Sequence, residues 1–234
     1  MRNPGICLAF FCLILLGTSF AKAQDISPEA NDIVCWQPGQ RIEVGDFNPN
    51  HSDLMLRLHQ EHGVQASATV AIFRVLDVPA KKRDRGQMLE KAYFVPSWIK
   101  SRSETFTPDT AELAKQQLFL DLAEICCRRA RKQLKTLQDS LPKAYGTTYI
   151  FYPQIANECC RKYTEISQSY LVEVFLGKQP GAYEKWRRLI KNQLVQLNAF
   201  ATTPLDCQRA HDGQPVAPGY QMSQTLFSAL IPCR

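Results

Sequence analysis

Lys115-Gln116-Gln117-Leu118-Phe119-Leu120-Asp121 lies inside the stretch whose reading decides the fold, Asp109 to Leu141. Phe119, Leu122, Cys126, Ala130, Leu134, Leu137 and Leu141 follow one another at steps of three or four. That spacing places them on one face of a long amphipathic helix. Thr107 is the expected cap and Pro108 the expected first turn. Leu141-Pro142 ends the run, because the residue before a proline is pushed out of the helical region.

Upstream, Arg2, the apolar run Ile6 to Leu16 and the small-x-small step Ala21-Lys22-Ala23 stand in the order of a secretory signal peptide, residues 1–23. The apolar run is too short to span a bilayer. Gln24 follows the cleavage point, where a lipid anchor would need a cysteine. With no second candidate span, the expected location is periplasmic or extracellular, with no transmembrane segment after cleavage. The remainder suits one domain, 24–200, with a core of useful size. Pro204, Gly213, Pro215, Pro218 and Gly219 break any pattern in 201–234, which reads as an irregular tail.

The formal charge of +6 loses Arg2 and Lys22 with the signal peptide. The densest cationic run is Arg128, Arg129, Arg131, Lys132 and Lys135, in the second half of the long helix. Cations there suit the helix dipole, and the run reads as a solvated face. An exported chain without a nucleic-acid-binding motif is not expected to bind nucleic acid. An unidentified protein or an envelope polymer is the expected kind of partner, and contact of the cationic run with an anionic lipid or polysaccharide is the alternative to a solvated face.

Nine cysteines become seven once Cys7 and Cys12 leave: Cys35, Cys126, Cys127, Cys159, Cys160, Cys207 and Cys233. An exported chain with this many is expected to hold disulfides. Neighbours in a helix point about 100° apart, so pairing within either doublet is strained. At least one bond is therefore expected between Cys126-Cys127 and Cys159-Cys160. Cys207 and Cys233 are candidates to pin the tail. A four-thiolate metal site and simple burial as small core residues are the alternatives.

Taken in order, Ile33 to Trp36 and Arg41 to Val44 read as short extended pieces around the turn Gln37-Pro38-Gly39. Asp53 to Glu61 reads as a helix. Val64 to Val78 and Met88 to Val95 read as strands around a charged loop, Lys81 to Gly86. Val70, Ile72 and Arg74 share one strand face, and Ala71, Phe73 and Val75 the other. Tyr149-Ile150-Phe151 reads as extended. Two further helices are expected, about Pro153 to Leu176 and Ala182 to Phe200.

Several of these frames resemble one family. It is a bacterial secreted family catalogued as domain of unknown function nine-two-two, whose members are predicted zinc-dependent proteases. Its central helix carries H-E-x-x-H, then Phe-Asp-Ile, then a small residue and an acid. Here the frame reads Lys115-Gln116-Gln117-Leu118-Phe119-Leu120-Asp121-Leu122-Ala123-Glu124. Trp36 followed by Asp46-Phe47, the small residues Ala66 to Thr69, and Ser97-Trp98 resemble earlier parts of the family. Its next helix has Tyr-Asp-x-Glu-Thr-x-His-Gly, then a Trp in the one after. Tyr170, Glu173, Gly177 and Trp186 match, while Leu176 stands in the histidine's place. The resemblance runs from about Trp36 to Leu197.

The chemistry of that frame is absent. Two histidines at i and i+4 can share a zinc, and the Glu beside the first takes a proton from the metal-bound water. Lys115 is a cation, Phe119 has no donor atom, and Gln116 is not a base. The resemblance thus implies an α+β, zincin-like fold, a small N-terminal antiparallel sheet packed by three C-terminal helices. It implies no catalysis, no metal and no cofactor. Asp121, Tyr170, Glu173 and Trp186 are its retained positions. Two other readings are carried forward: a relocated metal on His59, His62 and Glu61 or Glu173, and a metal module built from the paired cysteines.

Overall fold

The structure, a computed structural model, describes residues 30–141 and 144–223. The expected signal peptide and Cys233 lie outside the described residues. The chain is α+β. Its sheet holds β1 (Ile33–Cys35), β3 (Val70–Pro79), β4 (Lys91–Ile99) and β6 (Tyr220–Met222) in the order β1-β4-β3-β6. All three pairings are antiparallel. A two-stranded pair joins β2 (Ala66–Ser67) to β5 (Glu104–Thr105). The helices are α1 (Asp53–His62), α2 (Thr110–Ser140), α3 (Thr147–Leu171), α4 (Ala182–Gln196) and α5 (Pro204–Asp212).

The expected central helix is α2, bounded within one residue of the reading, but Asp109 caps it in place of Thr107. The Asp109 carboxylate accepts from the backbone N–H of Ala111, 2.9 Å away. Thr107 acts one step earlier, accepting from the N–H of Asp109. Leu122, Cys126, Ala130 and Leu134 are buried as expected, whereas Leu141 lies exposed just past the last turn. Burial also reaches Leu118, Leu120, Ala123, Glu124, Ile125 and Arg128. A stripe cannot do this. The middle of α2 is enclosed on most sides, by β3 and β4, α3 and α4.

Every residue of β3 is buried, because the sheet is covered on both faces. Val70, Ile72, Leu76 and Val78 join the large core with α2 and α3. Phe73 and Val75 pack instead with Cys207 and Ala210 of α5. A strand buried on both faces reads as a continuous apolar run, which explains why its start was placed too early. β4 begins and ends later than expected, and Ser97-Trp98 is its last part. The Lys81–Gly86 loop contains a 3-10 helix, Lys82–Gly86. Arg41 to Val44 forms no strand, and Val44–Asp46 is a short 3-10 helix.

Two other readings are corrected. Tyr149 to Phe151 is helical, because α3 starts at Thr147 and carries Pro153 inside. Pro153 removes one hydrogen bond and its ring crowds the carbonyl four residues back, yet six residues before it already form the helix and the helix continues past it. The segment after Ala201 is not an irregular tail. Thr203 and Asp206 form a reciprocal capping box at the start of α5, with Pro204 in its first turn. β6 then pairs with β3, so the folded domain extends at least to Met222.

Two buried charge clusters fasten these layers. Glu124 is fully enclosed and takes the Arg128 guanidinium at 2.6 Å and the Thr202 hydroxyl at 2.6 Å. Arg131 adds a longer contact of 3.5 Å. On the other face, Arg209 of α5 makes two bonds of 2.8 Å to Asp77 of β3. The disulfide Cys35–Cys207 ties α5 to β1.

Leu122→Ala is expected to destabilise the domain by roughly 2–5 kcal/mol. Glu124→Ala is expected to cost roughly 3–5 kcal/mol, since it leaves buried guanidinium groups unpaired. Chemical denaturation measures both, and an unchanged midpoint in either variant would refute the assignment of its side chain to the core.

Candidate functional site

α2 presents Lys115 and Phe119 one turn apart, on the side that meets the end of α3. There α3 gives way to a π-helix, Val172–Leu176, closed by the Gly177 N–H donating to the Val172 carbonyl at 2.7 Å. The wider turn changes which side chain faces inward. Phe175 is buried, whereas Leu176, in the frame's third ligand position, is 39% exposed. Phe175, its neighbour, is the residue whose ring stacks on Phe119.

An aromatic cluster occupies the space. The Phe119 ring lies 4.9 Å from Tyr170 and 5.9 Å from Phe175, centroid to centroid. Tyr170 meets Phe175 at 5.7 Å and Trp186 of α4 at 5.5 Å, edge to face. Such geometries add to the burial of the rings. The Tyr170 hydroxyl donates to the backbone carbonyl of Lys115 at 2.8 Å, and burial pushes its pKa up.

The remaining positions of the frame are held by other partners. Lys115 Nζ pairs with Glu112 at 2.8 Å. Gln116, in the place of a general base, is buried, and its amide donates to the Ala66 carbonyl at 2.9 Å. Its Oε1 has no partner. Glu173 accepts from Lys185 at 2.8 Å and from the Trp186 indole at 2.9 Å. Those bonds, the one from Lys185 first, hold its carboxyl below the usual range. Asp121 points away from the cluster. It accepts from the Trp36 indole at 2.7 Å and anchors the loop after β1, while Gln117 accepts from the Ile42 N–H at 2.9 Å. Beside this pair a groove of about 590 Å³ opens between α2, α4 and the loop, lined by Trp36, Pro38, Leu118, Asp121, Ile190 and Leu194.

The residues named for the two metal alternatives have other partners. His59 Nδ1 lies 3.0 Å from the Val64 carbonyl, and its ring packs on Phe106 opposite His51. His62 contacts only the neighbouring Glu61, and Glu173 is held by Lys185 and Trp186. The cysteine pairing also differs from expectation. Cys207 bonds Cys35, whereas Cys126, Cys127 and Cys159 are buried thiols. Cys160 is disulfide-bonded. No bond joins the two doublets, although Cys127 and Cys159 share a hydrogen bond. Among the described residues, no group of three or more His, Cys, Asp and Glu side chains can hold a metal.

Sequence reasoning missed the clamp on Glu124. Arg128 and Arg131 were read as solvated. The signal was present, since Glu124 and Arg128 stand at i and i+4 on one helix. Trp36 and Asp121 were each singled out, but nothing local joins residues so far apart in the chain.

No family model matches the chain, and no curated protein or solved structure matches it. Among the described residues, no helix is long and apolar enough to cross a membrane.

Burial holds the Asp121 carboxyl above the ordinary range, opposed by the bonds from Trp36 and Gln117. A carboxyl raised by folding contributes stability that is full below its unfolded pKa and is lost as pH rises through the folded one. Asp121→Asn keeps an acceptor for Trp36 and is expected to flatten that loss. If both proteins show the same pH dependence of the unfolding midpoint from about pH 4 to 7, burial does not govern Asp121.

Burial pushes the Cys126 thiol up to about 12 and raises Cys127 further above its ordinary range, with help from Cys159. Iodoacetamide at about pH 8 is expected to leave Cys126, Cys127 and Cys159 unmodified until the protein unfolds. A non-reducing peptide map is expected to link Cys35 to Cys207. Rapid alkylation of the folded protein at any of the three thiols counts against their burial.

Proposed function

We propose that this protein is an exported, non-catalytic relative of zinc-dependent proteases, with a zincin-like domain that acts by binding. The observation that carries the reading is the aromatic cluster of Phe119, Tyr170, Phe175 and Trp186, filling the space where the frame would need ligands. A metal there would need lone pairs at the positions of Lys115, Phe119 and Leu176, and none of the three side chains offers one at neutral pH. Gln116, locked onto the Ala66 carbonyl, cannot take a proton from water.

Arg2, Ile6 to Leu16 and Ala21-Lys22-Ala23 support export to the periplasm or beyond, and the Cys35–Cys207 bond fits an oxidising compartment. The partner class is a protein or an envelope polymer. The Trp36–Asp121 bond keeps the loop after β1 against α2, and an open groove lies beside it.

The test is elemental analysis of the purified mature protein, with a peptidase assay on an unfolded protein substrate. No stoichiometric zinc and no chelator-sensitive cleavage are expected. About one dialysis-resistant zinc per chain would overturn the reading. Combining Lys115→His, Gln116→Glu and Phe119→His is expected to restore only weak metal binding, because the surrounding groups no longer orient ligands. Tight zinc binding by that variant would show that they still do.

A further inference from the structure

The cationic run on α2 divides into two sets. Arg128 and Arg131 turn inward to Glu124, and Lys135 pairs with Asp139 at 2.6 Å. Arg129 and Lys132 are exposed and, among the described residues, in no ion pair. Both border a second open groove of about 590 Å³, between the later half of α2 and the last turns of α4. Among the described residues, no acidic side chain lines it.

The groove has an ordered polar wall. Arg129 Nη2 donates to Gln193 Oε1 at 2.8 Å, and Gln193 Nε2 donates to Gln196 Oε1 at 3.2 Å. This relay fixes the Gln193 carboxamide. Among the described residues it leaves Gln196 Nε2 and the other N–H groups of Arg129 without partners. Gln133 adds a third amide, and Leu137 and Leu197 form an apolar floor.

We propose that this groove binds an acidic polysaccharide, with carboxylates on Arg129 and Lys132 and hydroxyls on the amides of Gln133, Gln193 and Gln196. Unpaired cations in a groove free of acids select an anion, and the planar fork of arginine matches a carboxylate. Neutral amides add what hydroxyl groups require, a donor and an acceptor on one side chain. The aliphatic floor suits the C–H face of a sugar ring. An acidic peptide fits less well, because its carboxylates would use Arg129 and Lys132 but it offers no hydroxyls to the three amides. The proposal goes beyond the reading of the metal frame and does not depend on it. Zinc in the frame would leave it standing, and its failure would leave the frame's reading standing.

Isothermal titration of the full mature chain with an oligogalacturonate, a neutral glucan of equal length and polyglutamate provides the test. Binding of the oligogalacturonate alone is expected, weakening as salt rises. Arg129→Gln with Lys132→Gln is expected to weaken it about tenfold or more at an unchanged unfolding midpoint. Gln193→Leu, which removes no charge, is expected to weaken it several-fold. Arg188→Gln with Lys191→Gln, outside this groove, is expected to change it little. No binding at low salt, equal binding of the neutral glucan or of polyglutamate, or equal weakening by both double variants would overturn the proposal.

Discussion

The carboxylate of Glu124 is the group on which the rest of the structure depends. It lies at the middle of α2 with no exposure to solvent. A carboxylate there is tolerable only if every lone pair is used. Arg128 and the backbone and hydroxyl of Thr202 supply the bonds, and Arg131 a longer one. The arginines then reach outward: Arg128 to the Leu194 carbonyl, Arg131 to the carbonyls of Phe200 and Phe94. One helix thus dictates where α4 ends, where the chain turns after it, and how β4 sits beneath. The Arg128 guanidinium also lies 4.8 Å from the centre of the Trp36 ring, on the side that faces the open groove.

The far face of the sheet is closed by a different device. α5 is short and offers few apolar residues, so packing alone would hold it weakly. Its Arg209 is fully buried against Asp77, and Cys207 is bonded to Cys35 across 172 residues of sequence. In the chain-entropy model a loop of that length is worth about 5 kcal/mol to the folded state. Both attachments lie at residues with no apolar pattern around them.

The cluster around Tyr170 closes a space between α2, the end of α3 and α4, where a void would cost stability. Phe119 fills it from α2 and Phe175 from the π-helix, with Trp186 closing the side. The π-helix is what turns Phe175 inward and leaves Leu176 outside. Extra-wide turns of this kind commonly sit where a helix serves a site.

The sequence by itself determined the elements whose signals are local. α2 was legible almost to the residue because apolar steps of three and four, followed by Leu141-Pro142, specify a long helix whatever it packs against. The turn between β3 and β4 follows from residue types in order. The capping box of Thr203 and Asp206 was equally local, and was passed over because the prolines and glycines around it read as disorder of pattern. Tertiary structure alone decided the rest. Whether Arg128 faces water or Glu124 depends on α4 and Thr202 closing over it. Which cysteine meets Cys35 depends on α5 crossing the sheet, and sequence spacing carries no record of that crossing. The inward residue of the π-helix is settled by the space beside Tyr170. In each case the deciding energy is desolvation of a charge, a sulfur or a ring, and desolvation exists only once distant segments have met.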